Sequence, residues 1–375
     1  MRILLTGGGT AGHINPALAV AKYIQQKHPE TQFLYVGNQD KMEARLVPES
    51  GFDFAGLDTS GFYRKLTPKG IAHNINAVRQ QMTSGKKVKA ILGEFKPDVV
   101  LGTGGYVCAP VLSQAVKKRI PTLLHESNAY PGITTKLLAK RVNTVLLTSG
   151  DAKQHLHPSA NCVITGNPIR EDILFYSRER ARTELNIKNG QICILSFGGS
   201  LGADAINKAM AAVMGFTADQ PHICHIHATG AYYKEIFPKL LADQGINLES
   251  HPRLYIREYI DDMARCMNAA DIIISRSGST TVNEIAGAAK ASILIPSPNV
   301  TENHQYHNAM SLGARGGAIV IEEKTLSNEK LILYVKDLTT NPEKIKKIAK
   351  KAGEMAIVDA NDRIYQEIRK VLPKH

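Results

Sequence analysis

Short apolar runs alternate along this chain with longer segments whose apolar positions recur at helical spacing. That alternation predicts parallel strands joined by crossover helices. In the first half the strand-like runs fall at 2–6, 32–37, 97–102, 121–125 and 143–148. The segment Ile164–Arg170 breaks the pattern with Gly166 and Pro168 and reads as a hinge. The alternation restarts at 191–197, 223–229, 253–256, 271–275, 291–296 and 317–321, and a charged helix over about 342–371 closes the chain. The expected fold class is α/β, with two Rossmann-like, doubly wound parallel-sheet domains. They span 1–166 and 167–354, and the C-terminal helix at about 355–375 packs back on the first. A length of 375 residues favours two cores over one.

Glycines interrupt the pattern where strands give way to helices. The first such turn is Gly7-Gly-Gly-Thr-Ala-Gly12 followed by His13, and the second lies within Arg276-Ser-Gly-Ser-Thr-Thr281. A strand that breaks at glycine and feeds a helix aims free backbone N–H groups and the helix dipole at an anion. Residues 7–12 satisfy GxGxxG, but the second strand ends Val36-Gly-Asn-Gln39, and Asp40 comes too late to bind a dinucleotide ribose. His13 stands where a P-loop needs lysine. An anion-tolerant turn with a histidine in the first helical turn remains.

Gly198-Gly-Ser-Leu-Gly202 matches the GxSxG nucleophile elbow, with Asp271 and then His304 or His307 as partners in a serine hydrolase. The competing expectation is that Ser200 and its neighbouring amides grip a phosphate. His225 and His227 share one strand face without an evident third metal ligand, and His125-Glu126 lacks the second histidine of HExxH. No Asp-x-Asp motif occurs, so no metal is expected at a diphosphate. In 276–305 the hydroxyls of Ser279, Thr280 and Thr281 suit pyrophosphate. Glu284 can accept from both hydroxyls of a ribose, and the amide of Gln305 can bridge two sugar hydroxyls.

The formal charge of +12 favours anionic partners. No nucleic-acid module is visible, which leaves an anionic membrane surface or a merely solvated basic shell. Ile71, Ile75, Val78 and Met82 share a helix face flanked by Arg64, Lys65 and further lysines. Such a stripe fits an interfacial membrane helix or a core-facing one equally. The five cysteines lack CxxC spacing and read as reduced and cytosolic. No uninterrupted apolar stretch is long enough to span a bilayer.

Taken in order, Gly7–Leu18, Gly102-Thr-Gly-Gly-Tyr106, His125-Glu-Ser-Asn-Ala129, Gly166-Asn-Pro-Ile-Arg170, Gly198–Gly202, Ile260-Asp-Asp-Met263, Arg276–Glu284 and His304-Gln-Tyr-His-Asn308 resemble the MurG family. Its members are the peptidoglycan N-acetylglucosaminyltransferases of glycosyltransferase family 28. The resemblance implies a GT-B fold, two Rossmann-like domains facing a central cleft. It further implies transfer of GlcNAc from UDP-GlcNAc to the C4 hydroxyl of undecaprenyl-diphospho-MurNAc-pentapeptide (lipid I), forming lipid II in cell-wall synthesis. Inversion at the anomeric carbon, no cofactor and no metal are implied with it. So are a peripheral location on the cytoplasmic face of the plasma membrane and membership of a cell-wall synthesis complex.

By position, Thr10, Ala11 and Gly12 would face the donor and Asn128 the GlcNAc. Arg170 and Ser200 would contact the phosphates, Ile260 the uracil, Ser279–Thr281 the α-phosphate and sugar, Glu284 the ribose and Gln305 the GlcNAc hydroxyls. Gly104, Gly105 and Tyr106 would form the acceptor-side loop, with His13 or Glu126 as general base. The chain departs from many members at Ser127 and His304, where glutamine is common, and its 71–82 stripe lacks aromatic residues. Another GT-B glycolipid transferase, a UDP-GlcNAc epimerase or a sugar-nucleotide sensor would share the donor side alone.

Overall fold

The computed structural model describes residues 1–59 and 84–372. The 71–82 stripe therefore lies outside the described residues. The chain divides into two compact units, Met1–Pro168 with Asp359–His375, and Ile169–Val358.

The first unit holds β1 (Arg2–Thr6), β2 (Gln32–Asn38), β3 (Asp53–Leu57), β4 (Val99–Gly102), β5 (Thr122–Glu126), β6 (Thr144–Leu147) and β7 (Cys162–Ile164). They form one parallel sheet in the order β3-β2-β1-β4-β5-β6-β7. Along β1, Ile3, Leu4 and Leu5 are all fully buried, because helices cover both faces of the sheet. Ile3 and Leu5 pack with helices Ala11–Lys27 and Ala360–Val371, whereas Leu4 packs with Val111 and Leu112 of helix Cys108–Lys117 on the opposite face. Side-chain alternation along a strand places them so.

The second unit holds β8 (Ile192–Phe197), β9 (Ile223–Ala228), β10 (Leu254–Arg257), β11 (Ile272–Ser275), β12 (Ala291–Leu294) and β13 (Ile319–Val320). The parallel order is β10-β9-β8-β11-β12-β13. Strand order reverses between β1 and β4 in one sheet and between β8 and β11 in the other. In open α/β sheets, ligands bind outside the carboxyl ends of strands at that reversal.

The expected single helix at 342–371 is two. Pro342–Gly353 packs in the second unit and Ala360–Val371 in the first. Ile364, Tyr365 and Ile368 are buried beside Ile14, Ala17 and Ile24 of helix Ala11–Lys27. Tyr23 Oη donates to Asp362 at 2.6 Å across that contact.

Candidate active site

In the first unit, β1 ends at Thr6 and the Gly7–Gly9 turn opens onto helix Ala11–Lys27. Thr10, the residue before the helix, is extended and makes no side-chain cap, so the first amides of the helix are left for another acceptor. The turn is fixed from below by Glu43, a fully buried carboxylate that accepts from Gly9 N at 3.2 Å and Asn38 N at 3.0 Å.

His13 lies in the first turn of the same helix, with Nδ1 3.1 Å from the Thr103 carbonyl. A carbonyl can only accept, so Nδ1 carries the proton and the lone pair of a neutral imidazole sits on Nε2. Thr103 Oγ1 donates back to the His13 carbonyl at 2.6 Å. Gly104, at φ 107°, allows this approach, since a Cβ there would lie 2.6 Å from His13 Nδ1. Tyr106 is half-buried beside Gly9, and burial pushes its phenol upward.

Glu126, the other candidate base, closes β5 and is 4% exposed. Its Oε1 accepts from Asn128 N (2.9 Å) and Asn128 Nδ2 (3.1 Å), and its Oε2 from Gly132 N (2.9 Å) and Thr135 Oγ1 (2.6 Å). Two acceptor sites per oxygen are thereby filled. Glu126 staples the loop that carries Asn128, and its lone pairs are engaged where a base must offer one. His125 beside it is buried, donates through Nε2 to the Gly166 carbonyl at 2.9 Å, and is pushed below its usual range by burial.

In the second unit the Gly198–Gly202 turn follows β8 and exposes Ser200. The Arg276–Gly278 turn follows β11 and leads into helix Ser279–Gly287. Gly278 precedes that helix in an extended conformation and provides no side-chain cap. Thr280 Oγ1 is buried there without a hydrogen-bond partner, as a hydroxyl awaiting an acceptor would be. One turn further, Glu284 is 8% exposed and accepts from Arg170 Nε at 2.9 Å. Burial raises its carboxyl pKa, and the Arg170 charge opposes that rise. Ile260, 3% exposed, follows β10. Gln305 Oε1 accepts from Ser297 N at 2.9 Å, and the Gln305 carbonyl accepts from Ser277 Oγ at 2.8 Å.

Ser200, Ile260, Ser279–Thr281, Glu284 and Gln305 thus gather at the carboxyl edge of the second sheet, and Arg170 joins them through Glu284. Thr10–His13, Gly104–Tyr106 and Asn128 gather at the carboxyl edge of the first. The pattern of residues missed Glu43 and Thr103. Glu43 sits in an ordinary amphipathic segment, and only the fold brings it under the glycine turn.

Two other motifs resolve into structural roles. Asp271 precedes β11 and accepts from Cys193 N (2.8 Å), Arg178 (2.6 Å) and Arg182 (3.2 Å) at the amino end of the sheet. Ser200 lies beyond the carboxyl end of β8, and a strand of 6 residues is about 20 Å long. A Ser200–Asp271 hydrolase pairing is therefore excluded. His225 and His227 both bond Ser196 Oγ at 2.8 Å inside the core and form no metal set. Among the described residues, no three His, Cys, Asp or Glu side chains come together as a metal site.

Two family models match the chain. The glycosyltransferase family 28 N-terminal domain matches residues 3–147, and the family 28 C-terminal domain matches residues 193–364. The chain is 40% identical over 374 residues, 100% of both chains, to the UDP-N-acetylglucosamine–N-acetylmuramyl-(pentapeptide) pyrophosphoryl-undecaprenol N-acetylglucosamine transferase of Desulforamulus reducens. It is 37% identical over 371 residues to the Bacillus subtilis protein of the same name, covering 99% of each. Among solved structures it is similar to Acinetobacter baumannii MurG, with a TM-score of 0.79 at 29% identity over 98% of this chain and 99% of that one. The UDP-GlcNAc 2-epimerase of Neisseria meningitidis shares the fold at a TM-score of 0.67 and 17% identity, covering 99% of this chain and 100% of that one.

Proposed function

The chain belongs to glycosyltransferase family 28, and from that premise we propose how its two sheet edges divide the work of an N-acetylglucosaminyltransferase. Its reaction is that of its full-length relatives: GlcNAc passes from UDP-GlcNAc to N-acetylmuramyl-(pentapeptide)-pyrophosphoryl-undecaprenol, a step of peptidoglycan synthesis. The fold is the two-sheet α/β architecture of MurG.

The second unit holds the donor. The ribose hydroxyls donate to Glu284, whose carboxyl is held in place by the neighbouring Arg170. The diphosphate lies against the amides that open helix Ser279–Gly287, the Thr280 hydroxyl and the Ser200 turn. Uracil packs at Ile260, and Gln305 takes the GlcNAc hydroxyls. The negative charge that grows on the leaving diphosphate is met by these donors and by Arg170, so the account requires no metal.

The first unit activates the acceptor. The C4 hydroxyl oxygen bonds to the anomeric carbon as the bond from that carbon to the phosphate oxygen breaks. The hydroxyl proton passes to His13 Nε2, and UDP leaves with the electron pair. Inversion follows from a single displacement. The observation that carries this reading is the Thr103 carbonyl on His13 Nδ1, which leaves Nε2 as the basic nitrogen.

Labelled UDP-GlcNAc and a lipid I analogue should yield labelled disaccharide at a rate unchanged by EDTA. His13→Ala should lower kcat about 10²–10⁴-fold. Full turnover by His13→Ala, or loss of activity in EDTA with recovery in Mg²⁺, would remove this mechanism.

No helix of the described residues is long and apolar enough to cross a membrane. The proposed attachment is peripheral, to the anionic inner surface where the lipid acceptor is displayed. One helical layer of the first unit supports it. Lys86, Lys87 and Lys89 are exposed on the helix at 84–95, and Lys117, Lys118 and Arg119 at the end of helix Cys108–Lys117. The adjoining helix Ile133–Leu138 exposes Ile133 (51%) and Leu137 (69%), followed by exposed Lys140 and Arg141. Apolar side chains ringed by cations suit a headgroup boundary.

A further inference from the structure

Beneath the carboxyl edge of the second sheet runs a buried polar chain that the transfer chemistry does not use. Its members are Ser196 on β8, His225 and His227 on β9, and Asn207 on helix Asp204–Thr217, all at 0% exposure. Ser196 Oγ lies 2.8 Å from His225 Nε2 and 2.8 Å from His227 Nδ1, and His227 Nε2 lies 2.9 Å from Asn207 Oδ1. Asn207 Nδ2 donates to the carbonyls of Ala203 (3.1 Å) and Thr229 (3.0 Å).

These contacts fix every proton in the chain. Two carbonyls can only accept, so the amide nitrogen of Asn207 must face them and its oxygen must face His227. His227 Nε2 therefore carries a hydrogen, and a neutral imidazole then has its lone pair on Nδ1. The Ser196 hydroxyl donates to that lone pair and in turn accepts from His225 Nε2–H. The relay has one sense, and it ends on two backbone oxygens.

One of those oxygens belongs to the turn proposed to contact the donor phosphates and the other to the turn beside it. Ala203 closes the Gly198–Gly202 turn, and Thr229 opens the turn after β9. The two turns are joined above Asn207, with Ala231 N donating to the Ser200 carbonyl at 3.1 Å and Tyr232 N to the Leu201 carbonyl at 3.2 Å. Gly230, at φ 78°, packs its backbone on Gly202 so closely that a Cβ there would collide with it. Asn207 thus holds both turns from one point below.

We infer that Asn207, oriented by the Ser196–His225–His227 relay, is a positioning residue that sets the height of the Ser200 turn against the donor diphosphate. It acts through the turn and touches no substrate. The inference rests on the reading that this turn contacts the donor.

The test measures donor KM, acceptor KM, kcat and Tm in Ser200→Ala, Asn207→Asp, His227→Ala and His227→Gln. Ser200→Ala reports on the contact itself and should raise donor KM. Asn207→Asp keeps the shape but removes both donors. Its donor KM should rise about tenfold, the worth of roughly one hydrogen bond, with acceptor KM unchanged. His227→Ala should follow it, whereas His227→Gln, which can still offer an N–H to Asn207 Oδ1, should recover most of the loss. If Asn207→Asp does not fold, the His227 pair carries the test.

A raised donor KM in Ser200→Ala with wild-type donor KM in the folded Asn207 and His227 variants would overturn the positioning role alone. An unchanged donor KM in Ser200→Ala would overturn the donor assignment of the turn, and the inference with it. A lowered Tm with no change in donor KM would reduce the relay to core packing.

Discussion

Lys290 is 7% exposed, and its ammonium donates to the carbonyls of Asn268 (2.7 Å) and Ala270 (3.0 Å). Arg178 and Arg182 reach the same strip of backbone, so three cations cap the end of helix Met263–Ala269, where the helix dipole is negative. Burial pushes Lys290 down from 10.5 to about 8. Between those values the unfolded chain binds the extra proton, so stability rises with pH across that window, and the full penalty is present below about 8. The difference in unfolding free energy between wild type and Lys290→Met should shift by about 3 kcal/mol in favour of wild type from pH 8 to 10.5. Tyrosines and thiols that titrate in that range cancel in the difference. A difference flat with pH would return Lys290 to an ordinary lysine. Nothing in the sequence separates this lysine from the exposed ones. The left-handed turn at Ala289, φ 48°, directs the chain so that it points inward.

The helix Ile133–Leu138 shows how a short segment acquires a second role. Thr135 and Leu138 are buried on its inner face, while Ile133 and Leu137, four residues apart, share the outer one. Beside the lysines of its two neighbours, that outer face is the surface proposed to meet lipid. Vesicles containing anionic lipid should pellet the wild-type protein, and the double variant Ile133→Asp, Leu137→Asp should stay in solution while keeping its Tm. Equal pelleting of both would move the attachment elsewhere. Most strands were legible as apolar runs, because strands covered on both faces have no polar alternation to hide them. Asp53–Leu57 escaped, since DFAGL carries a charge and a glycine and has only two large apolar residues, Phe54 and Leu57. Cys162–Ile164, at 3 residues, is too short to register as a run. The single expected helix at 342–371 is divided after Gly353, because its two halves bury their apolar faces in different units.

Among the described residues the second sheet repeats the order of the first six strands of the first sheet, and each reversal point carries a glycine turn with a helix start beside it. That repetition is why the glycine turns of the candidate site stand out in the sequence, whereas Asn128, Arg170 and Ile260 were expected only from the family resemblance. Glycine, serine and threonine at a strand end announce an anion site through local geometry alone. The supports of the site were not visible, because they arise from packing between elements distant in sequence. Glu43 under the first turn, Thr103 against His13 and Asn207 under the second are of this kind. The filled lone pairs of Glu126 likewise depend on Gly132 and Thr135, whose approach no spacing foretells. The central claim is that the second unit cradles UDP through Glu284, the Ser279–Thr281 helix start and the Ser200 turn. A crystal soaked with UDP-GlcNAc measures it directly. The account predicts ribose hydroxyls on Glu284, uracil at Ile260 and diphosphate over residues 279–281 and Ser200. Uridine lodged in the first unit, or a ribose without contact to Glu284, would contradict it.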